Sequence, residues 1–218
     1  MKIIVIGNQE DLDSIRNIED DRFLLFFTKN IKFEGEFEPI NKENSEIIIF
    51  GNNCTLENIT INKPNTNDIG LFSKVKSINV RDLKILNSRI KSGEVCGSLV
   101  GRVDSSIKAN NVTVYANIDS DSIIGGIAGS TRTANISNCS ISGNFSARGI
   151  IGGLIGICNS FEGNKNNIHS FSFNTDPNYT TCTIHLDVGY LSEREEKNLT
   201  MKLIPLMKDT TLSEYYIK

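Results

Sequence analysis

A small apolar phrase studded with glycine occurs four times in this chain, and its even spacing limits the possible folds more than any other feature. The copies are "NDIGLFSKV" at 67–75, "GEVCGSLVGRV" at 93–103, "DSIIGGIAGS" at 121–130 and "ARGIIGGLIGIC" at 147–158. Alignment places Gly70, Ser98, Gly126 and Gly153 in one column, stepping by 28, 28 and 27 residues. Leu71, Leu99, Ile127 and Leu154 fill the next column, and Ser73, Gly101, Gly129 and Gly156 lie two further on. Gly125 and Gly152 double the glycine in the last two copies. Large and small residues each keep a fixed place, which is the mark of a repeat architecture.

A second phrase lies between the glycine phrases. It reads "TLENITI" at 55–61, "NVRDLKI" at 79–85, "ANNVTV" at 109–114, "ISNCSI" at 136–141 and, more weakly, "IHSFSF" at 168–173. Its apolar columns are Ile59, Leu83, Val112, Cys139 and Phe171, then Ile61, Ile85, Val114, Ile141 and Phe173. Apolar residues two apart around a polar one describe a strand with one buried face. Asn58, Asp82, Asn111 and Asn138 precede these strands, with Ser170 in the weak copy. Small polar side chains there are suited to bond a turn and one another along a stack.

Short strands at a near-constant period, with no helix-length apolar stripe between them, predict an all-β solenoid of parallel strands. The expectation is about five coils of ~28 residues, stacked at about 4.8 Å. Glycine at the corners is expected to supply positive φ and to let one coil approach the next.

The phrases "IIGGIAG", "IIGGLIG" and "VCGSLVG" resemble the GLUG motif, a bacterial repeat with glycine–apolar–glycine signatures. "EDLDSIRN", "FLLFFTKNIKFEGEFEPI" and "IIIFGNNCTLENITI" are similar to the leader that often precedes such repeats, and the resemblance covers roughly residues 9–160. It implies a right-handed, single-stranded parallel β-helix and says nothing about activity. Its relatives are commonly secreted or surface proteins.

Both ends of such a stack need caps, because they expose unpaired edges and apolar interior. Residues 1–45 are expected to form a small α/β cap with lead-in strands. Within it "DLDSIRNIEDD" at 11–21 carries Leu12, Ile15 and Ile18 at helical spacing. Residues 46–175 are expected to form the β-helix. Residues 176–218 are expected to form a C-terminal cap or partner-binding tail. It would hold a strand in "TTCTIHLDVGYL" at 180–191 and a helix in "SEREEKNLTMKLIPLM" that Pro205 interrupts.

Five cysteines without CxxC spacing (Cys54, Cys96, Cys139, Cys158 and Cys182) fit neither a disulfide framework nor a zinc site. They read as buried free thiols of a reducing compartment. The apolar run in "MKIIVIGNQEDL" is too short for a signal-peptide core, and no run approaches the ~18 apolar residues of a membrane helix. The expectation is a soluble cytoplasmic protein without a membrane partner, or a secreted or surface protein if the chain is a trimmed mature form.

Candidates for chemistry are few. "MKIIVIGN" has one glycine, Gly7, where a phosphate loop needs several, so it reads as the first strand. His169 and His185 have no ligand at metal-binding spacing, and no cofactor is expected. Asp82, Asp104, Asp119 and Asp121 are the carboxylates that a glycan-cleaving site would use, yet no face gathers two of them from aligned coils. The outward column Thr60, Lys84, Thr113, Ser140 and Ser172 is spoiled as an ice-binding array by its lysine. Triplets such as "NIT", "NVT" and "NCS" are by-products of the repeat.

Charge is segregated. The chain carries −3 overall, but residues 74–108 hold eight bases (Lys74, Lys76, Arg81, Lys84, Arg89, Lys91, Arg102, Lys108) against three acids. Residues 1–50 hold eleven acids against six bases. A basic middle coil beside an acidic cap suits a macromolecular partner or another copy of the chain, with Lys74, Lys76, Arg81, Lys84, Arg89, Lys91 and Arg102 as partner-binding candidates. The functional expectation is a non-enzymatic intracellular binding protein for a protein partner, such as a stoichiometric inhibitor of phage or mobile-element origin. A carbohydrate-binding or polysaccharide-cleaving β-helix is the alternative. Nucleic-acid binding through the basic coil is a further one.

Overall fold

The computed structural model describes residues 1–174 and 183–185, with side chains through residue 168. The chain is a β-solenoid of about five turns with ~27 residues per turn. The N-terminal strands are β1 (Lys2–Ile6), β2 (Arg22–Phe27), β3 (Ile31–Lys32), β4 (Ile40–Phe50), β5 (Thr55–Glu57) and β6 (Thr60–Lys63). The central turns hold β7 (Phe72–Ser92), β8 (Val95–Gly97), β9 (Val100–Ser120), β10 (Ile123–Gly125) and β11 (Ala128–Ser137). There follow β12 (Ser140–Ala147), β13 (Ile150–Gly152), β14 (Ile155–Asn164), β15 (Asn167–Asn174) and β16 (Thr183–His185). Every pairing among them is parallel.

One column shows how the stack is built. Phe23, Ile47, Ile78, Ile107, Ala134 and Phe161 are successive partners on one face of the long sheet, and all but half-buried Phe161 are buried. The parallel ladder reaches back to β1, so residues 1–45 already carry its first two rungs. Above β1 the short helix α1 (Gln9–Ser14) starts in a capping box. Asn8 Oδ1 accepts from the Asp11 amide at 2.8 Å, and Asp11 Oδ2 accepts from the amides of Gly7 and Asn8. A 3₁₀ turn follows, and buried Leu12 and Ile15 close the interior as their spacing predicts.

The glycine columns keep the expected register. Phe72, Val100, Ala128 and Ile155 are aligned partners, which places Gly70, Ser98, Gly126 and Gly153 level, with Leu71, Leu99, Ile127 and Leu154 fully buried beside them. Their conformation differs from expectation. Positive φ occurs at Gly35 and Gly143 but at none of the repeat glycines. What these glycines provide is room: a Cβ on Gly126 would meet the Gly153 carbonyl oxygen of the next coil and Ile141 Cγ2 at 2.6 Å. Positive φ is instead supplied by Asn53, Asp82, Asn111 and Asn138, the corner between the two long faces.

That corner corrects the alignment of the second phrase. β5 pairs Thr55 with Lys84 and Leu56 with Ile85, and Asn53 donates its amide to the Asp82 carbonyl at 2.7 Å. Asn53, not Asn58, therefore shares the column of Asp82. Asn58 (φ 64°) belongs with Asn87 (φ 55°) in a second bend that the identical polar–apolar alternation conceals. Thr60 accordingly stands in the column of Arg89, not of Lys84. Ile168 pairs with Ile141, so the weak fifth copy is also shifted. Of the expected C-terminal elements, Thr183–His185 is a strand against Ile150–Gly152. The predicted helix and Cys182 lie outside the described residues, as do the side chains of His169 and His185.

Cys54, Cys96 and Cys139 are free and buried, and Cys158 is half-buried. No helix among the described residues is long and apolar enough to cross a membrane.

Candidate interaction surfaces

The basic residues of the middle coils do not form one patch. Lys74 Nζ lies 2.8 Å from Glu43 Oε1 and 3.6 Å from Asp104 Oδ2. Hydrogen bonding to Glu43 holds its ammonium above the usual lysine range. Lys76 meets Glu46 at 3.4 Å, Lys91 meets Asp119 at 3.6 Å and Arg102 meets Asp68 at 2.8 Å. Arg81 lies over the Phe50 ring, 4.0 Å from its centroid. Among the described residues, only Lys84 and Arg89 of the seven candidates have neither a carboxylate nor a ring against them. Most of the positive excess is thus matched between coils. Each such exposed pair adds little stability, but together they favour the observed register.

The carboxylates considered for catalysis are engaged as well. Asp82 accepts from Asn111 Nδ2 at 2.7 Å, Asp104 and Asp119 face Lys74 and Lys91, and Asp121 lies 3.8 Å from Arg148. No group of three or more His, Cys, Asp or Glu among the described residues is placed to hold a metal ion.

Arg89 stands in a shallow groove beyond the second bend. One lobe, of about 650 Å³, is lined by Thr60, Asn62, Arg89, Lys91, Asn117, Asp119, Asn144 and Ser146 together with Ile61, Ile90 and Ile118 of the same strands. A second lobe of about 480 Å³ shares Thr60, Arg89 and Asn117 and adds Asn58, Asn87 and Tyr115. The bend explains the hollow. The turns carrying Asn58 and Asn87 kink there, whereas Ile85–Val114 and Ser88–Ala116 pair on either side of a one-residue register shift. β9 therefore runs past the kink, and Tyr115 stays 42 % exposed.

A different surface lies on the outer side of the first three rungs. Ile3, Leu24 and Ile48 form one outward column, and Val5, Phe26 and Phe50 form the next. Ile3 is 56 % exposed, Val5 60 % and Phe26 36 %, with Leu24, Ile48 and Phe50 half-buried. The rings of Phe26 and Phe50 stack at 4.7 Å with planes 8° apart, and Arg81 covers the last of them. In later coils the same two columns read Asn79, Lys108, Asn135, Glu162 and Arg81, Asn110, Ser137, Asn164. The change from apolar to polar is abrupt. A notch of about 480 Å³ holding Glu19, Asp20, Asp21 and Arg22 borders the apolar columns.

Sequence reasoning misses both surfaces. The groove residues Asn62, Tyr115, Asn117 and Asn144 carry no local signal, because the second bend that gathers them is written like the first. The apolar columns are signalled by "KIIVI", "FLLFF" and "IIIF", which are runs where the later strands alternate. An unbroken apolar run in a sheet with one buried face leaves half its side chains in water.

No protein-family model matches the chain, no curated protein matches it in sequence, and no solved structure matches it in fold.

Proposed function

We propose that this chain is a non-enzymatic binding protein, a stiff β-solenoid that holds a protein partner on the outer face of its first three rungs. The observation that carries this reading is the double apolar column Ile3–Leu24–Ile48 and Val5–Phe26–Phe50 on the solvent side of a sheet whose core lies opposite. Contiguous exposed apolar surface with aromatic rings and an arginine at its margin has the composition of an interaction hot spot. Residues 1–50 carry a net −5, and Glu19, Asp20 and Asp21 gather at the border of the apolar columns. The partner surface that fits is apolar at its centre and basic at its rim. A second copy would bring acid against acid, so self-association is the poorer fit. The reading extends to a stoichiometric modulator, and to membership of the GLUG repeat family, which the recurrence of the glycine phrases in structural register supports.

The test is affinity capture from lysate with the wild-type chain and with Ile3→Glu and Phe26→Glu, each checked for unchanged melting. A protein retained by the wild type and lost from both variants, with recovery falling as salt rises, is the expected result. Equal recovery on all three chains overturns the reading. A purified chain that sediments as a dimer and dissociates in both variants replaces the partner with a second copy.

A further inference from the structure

We propose that the partner enters by main-chain pairing, laying an extended segment along the free edge of β1 as one more rung of the ladder. This rests on the reading of a protein partner at the first three rungs and names the form in which that partner arrives.

The backbone fixes which groups are open. β1 pairs with β2 on one side, and among the described residues no strand lies on the other. The Ile6 carbonyl accepts from the Thr28 amide at 2.9 Å, so Ile6, and by two-residue alternation Ile4 and Lys2, turn their backbone groups toward β2. Those of Ile3, Val5 and Gly7 point the other way. The chain itself satisfies the last of these, because the Gly7 amide donates to Asp11 Oδ2 at 2.8 Å at the start of α1. The amides and carbonyls of Ile3 and Val5 remain, donors and acceptors in one line. An incoming strand meets all of them in register.

Little in β1 discourages such a guest. Exposed edges are ordinarily blunted by proline, a bulge or charge along their length. "KIIVI" has no proline, its pairing runs from Lys2 with Phe23 to Ile6 with Phe27 without a shift, and its one charge is at its first residue. A strand added here extends the outward columns of Ile3 and Val5 by one place, so apolar residues two apart in the guest pack on both. The surroundings favour basic flanks. Glu10, Asp11, Asp13, Glu19, Asp20 and Asp21 outnumber the Met1 ammonium, Lys2, Arg16 and Lys42, whose Nζ is lodged against the Arg16 and Ile18 carbonyls.

A second copy is the poorer guest for a steric reason. Antiparallel pairing of β1 with β1 of another chain uses a two-fold axis perpendicular to the sheet, which keeps both inner faces on one side. Leu12 and Ile15 hold α1 and the turn after it over that interior end, so the two caps would claim the same space. The same cap blocks stacking on another copy's last coil. A lone segment brings no cap with it.

The probe is a short synthetic strand, valine alternating with threonine between paired lysines, titrated into the full chain. A copy with every valine and threonine nitrogen methylated keeps the side chains and loses the donors. The unmodified strand is expected to bind saturably, about tenfold tighter than the methylated copy and severalfold tighter than one flanked by glutamates. Amide exchange at Ile3 and Val5 should be fast in the free chain and slow about tenfold on saturation, with Ile4 and Ile6 protected throughout. Val5→Pro removes an outward donor without touching a β1–β2 bond, and should weaken the probe about tenfold, against about threefold or less for Val5→Ala, with melting checked for both. No binding by the wild type, equal binding of the methylated strand, or Ile3 and Val5 amides already protected in the free chain overturns the proposal. Protection that vanishes on dilution assigns the edge to a second copy and overturns it too. Strand addition and the apolar-face reading fail separately. A lysate partner lost from Phe26→Glu but held alike by Val5→Pro and Val5→Ala keeps the face and removes strand addition; probe binding in the expected pattern with no lysate partner does the reverse.

Discussion

Asn111 donates its side-chain amide to the Asp82 carboxylate of the neighbouring coil across 2.7 Å, and both residues hold positive φ, 54° and 56°. The pair joins two corners by the side chains that make those corners possible. Asp and Asn enter the left-handed region more readily than other chiral residues, because the short polar group can bond locally. Asp82→Ala loses both the bond and the conformational ease and should cost about 2 kcal/mol. Asp82→Gly, which keeps the backbone, should cost about half as much, and Asp82→Asn little. Urea unfolding of the three variants checks the order; an alanine variant as stable as the glycine one refutes it.

Gly126 and Gly35 separate crowding from backbone strain. Gly126 has no positive φ, but its Cβ would run into the neighbouring coil, so Gly126→Ala should cost about 3 kcal/mol or more. Gly35 has φ +72° with nothing within 4 Å of where a Cβ would stand, and Gly35→Ala should cost only about 1 kcal/mol. Thermal melts that rank the two variants the other way would reject the close-approach account of the repeat glycines.

The Ser88 hydroxyl is buried without a hydrogen-bond partner among the described residues, and the next coil has Ala116 in its place. An unpaired buried hydroxyl is destabilising, and alanine keeps the space filled at the Cβ. Ser88→Ala should raise stability by about 1 kcal/mol. A fall in the urea midpoint would point to a bond through water.

Burial pushes the Cys96 thiol up to about 12 and that of Cys139 up to about 11, from an ordinary 9.0. Between these values the unfolded chain releases protons that the native chain keeps. The stabilising contribution is therefore complete below pH 9 and is lost as pH rises toward 11 to 12, by roughly 1.4 kcal/mol per pH unit for each thiol. Urea midpoints at about pH 8, 9.5 and 10.5 should fall more steeply for the wild type than for the chain carrying Cys96→Ala and Cys139→Ala. Parallel declines would place both thiols in contact with water.

Much of the fold is legible because a solenoid repeats its constraints. Leu71, Leu99, Ile127 and Leu154 each fill the same site, so their column can be read without coordinates. The second bend is not legible. Asn58 and Asp82 are both small, polar and followed by apolar residues two apart, and only the strand pairing distinguishes one corner from the other. Lys74 and Arg102 look like parts of one basic patch because their acidic partners, Glu43 and Asp68, lie about thirty residues earlier and come alongside only when the chain coils. The apolar face is the most readable surface and is still easily missed. "FLLFF" reads as a lead-in strand, although its lack of alternation already requires that one of its two alternate sets face outward, and the structure turns out Leu24 and Phe26.

The parallel ladder has a consequence for how such a molecule can change. Each outward side chain occupies a point on a raster about 4.8 Å along the stack and about 7 Å along the strand, and the backbone at that point is held by its neighbours whatever residue it bears. Phe50 and Asn79 are adjacent in one such grid, one coil and one column apart, and the inward residues around them are unaltered in kind. Recognition can therefore be rewritten point by point on an unchanging frame. A new partner would demand new lettering on the outside and no new fold beneath it.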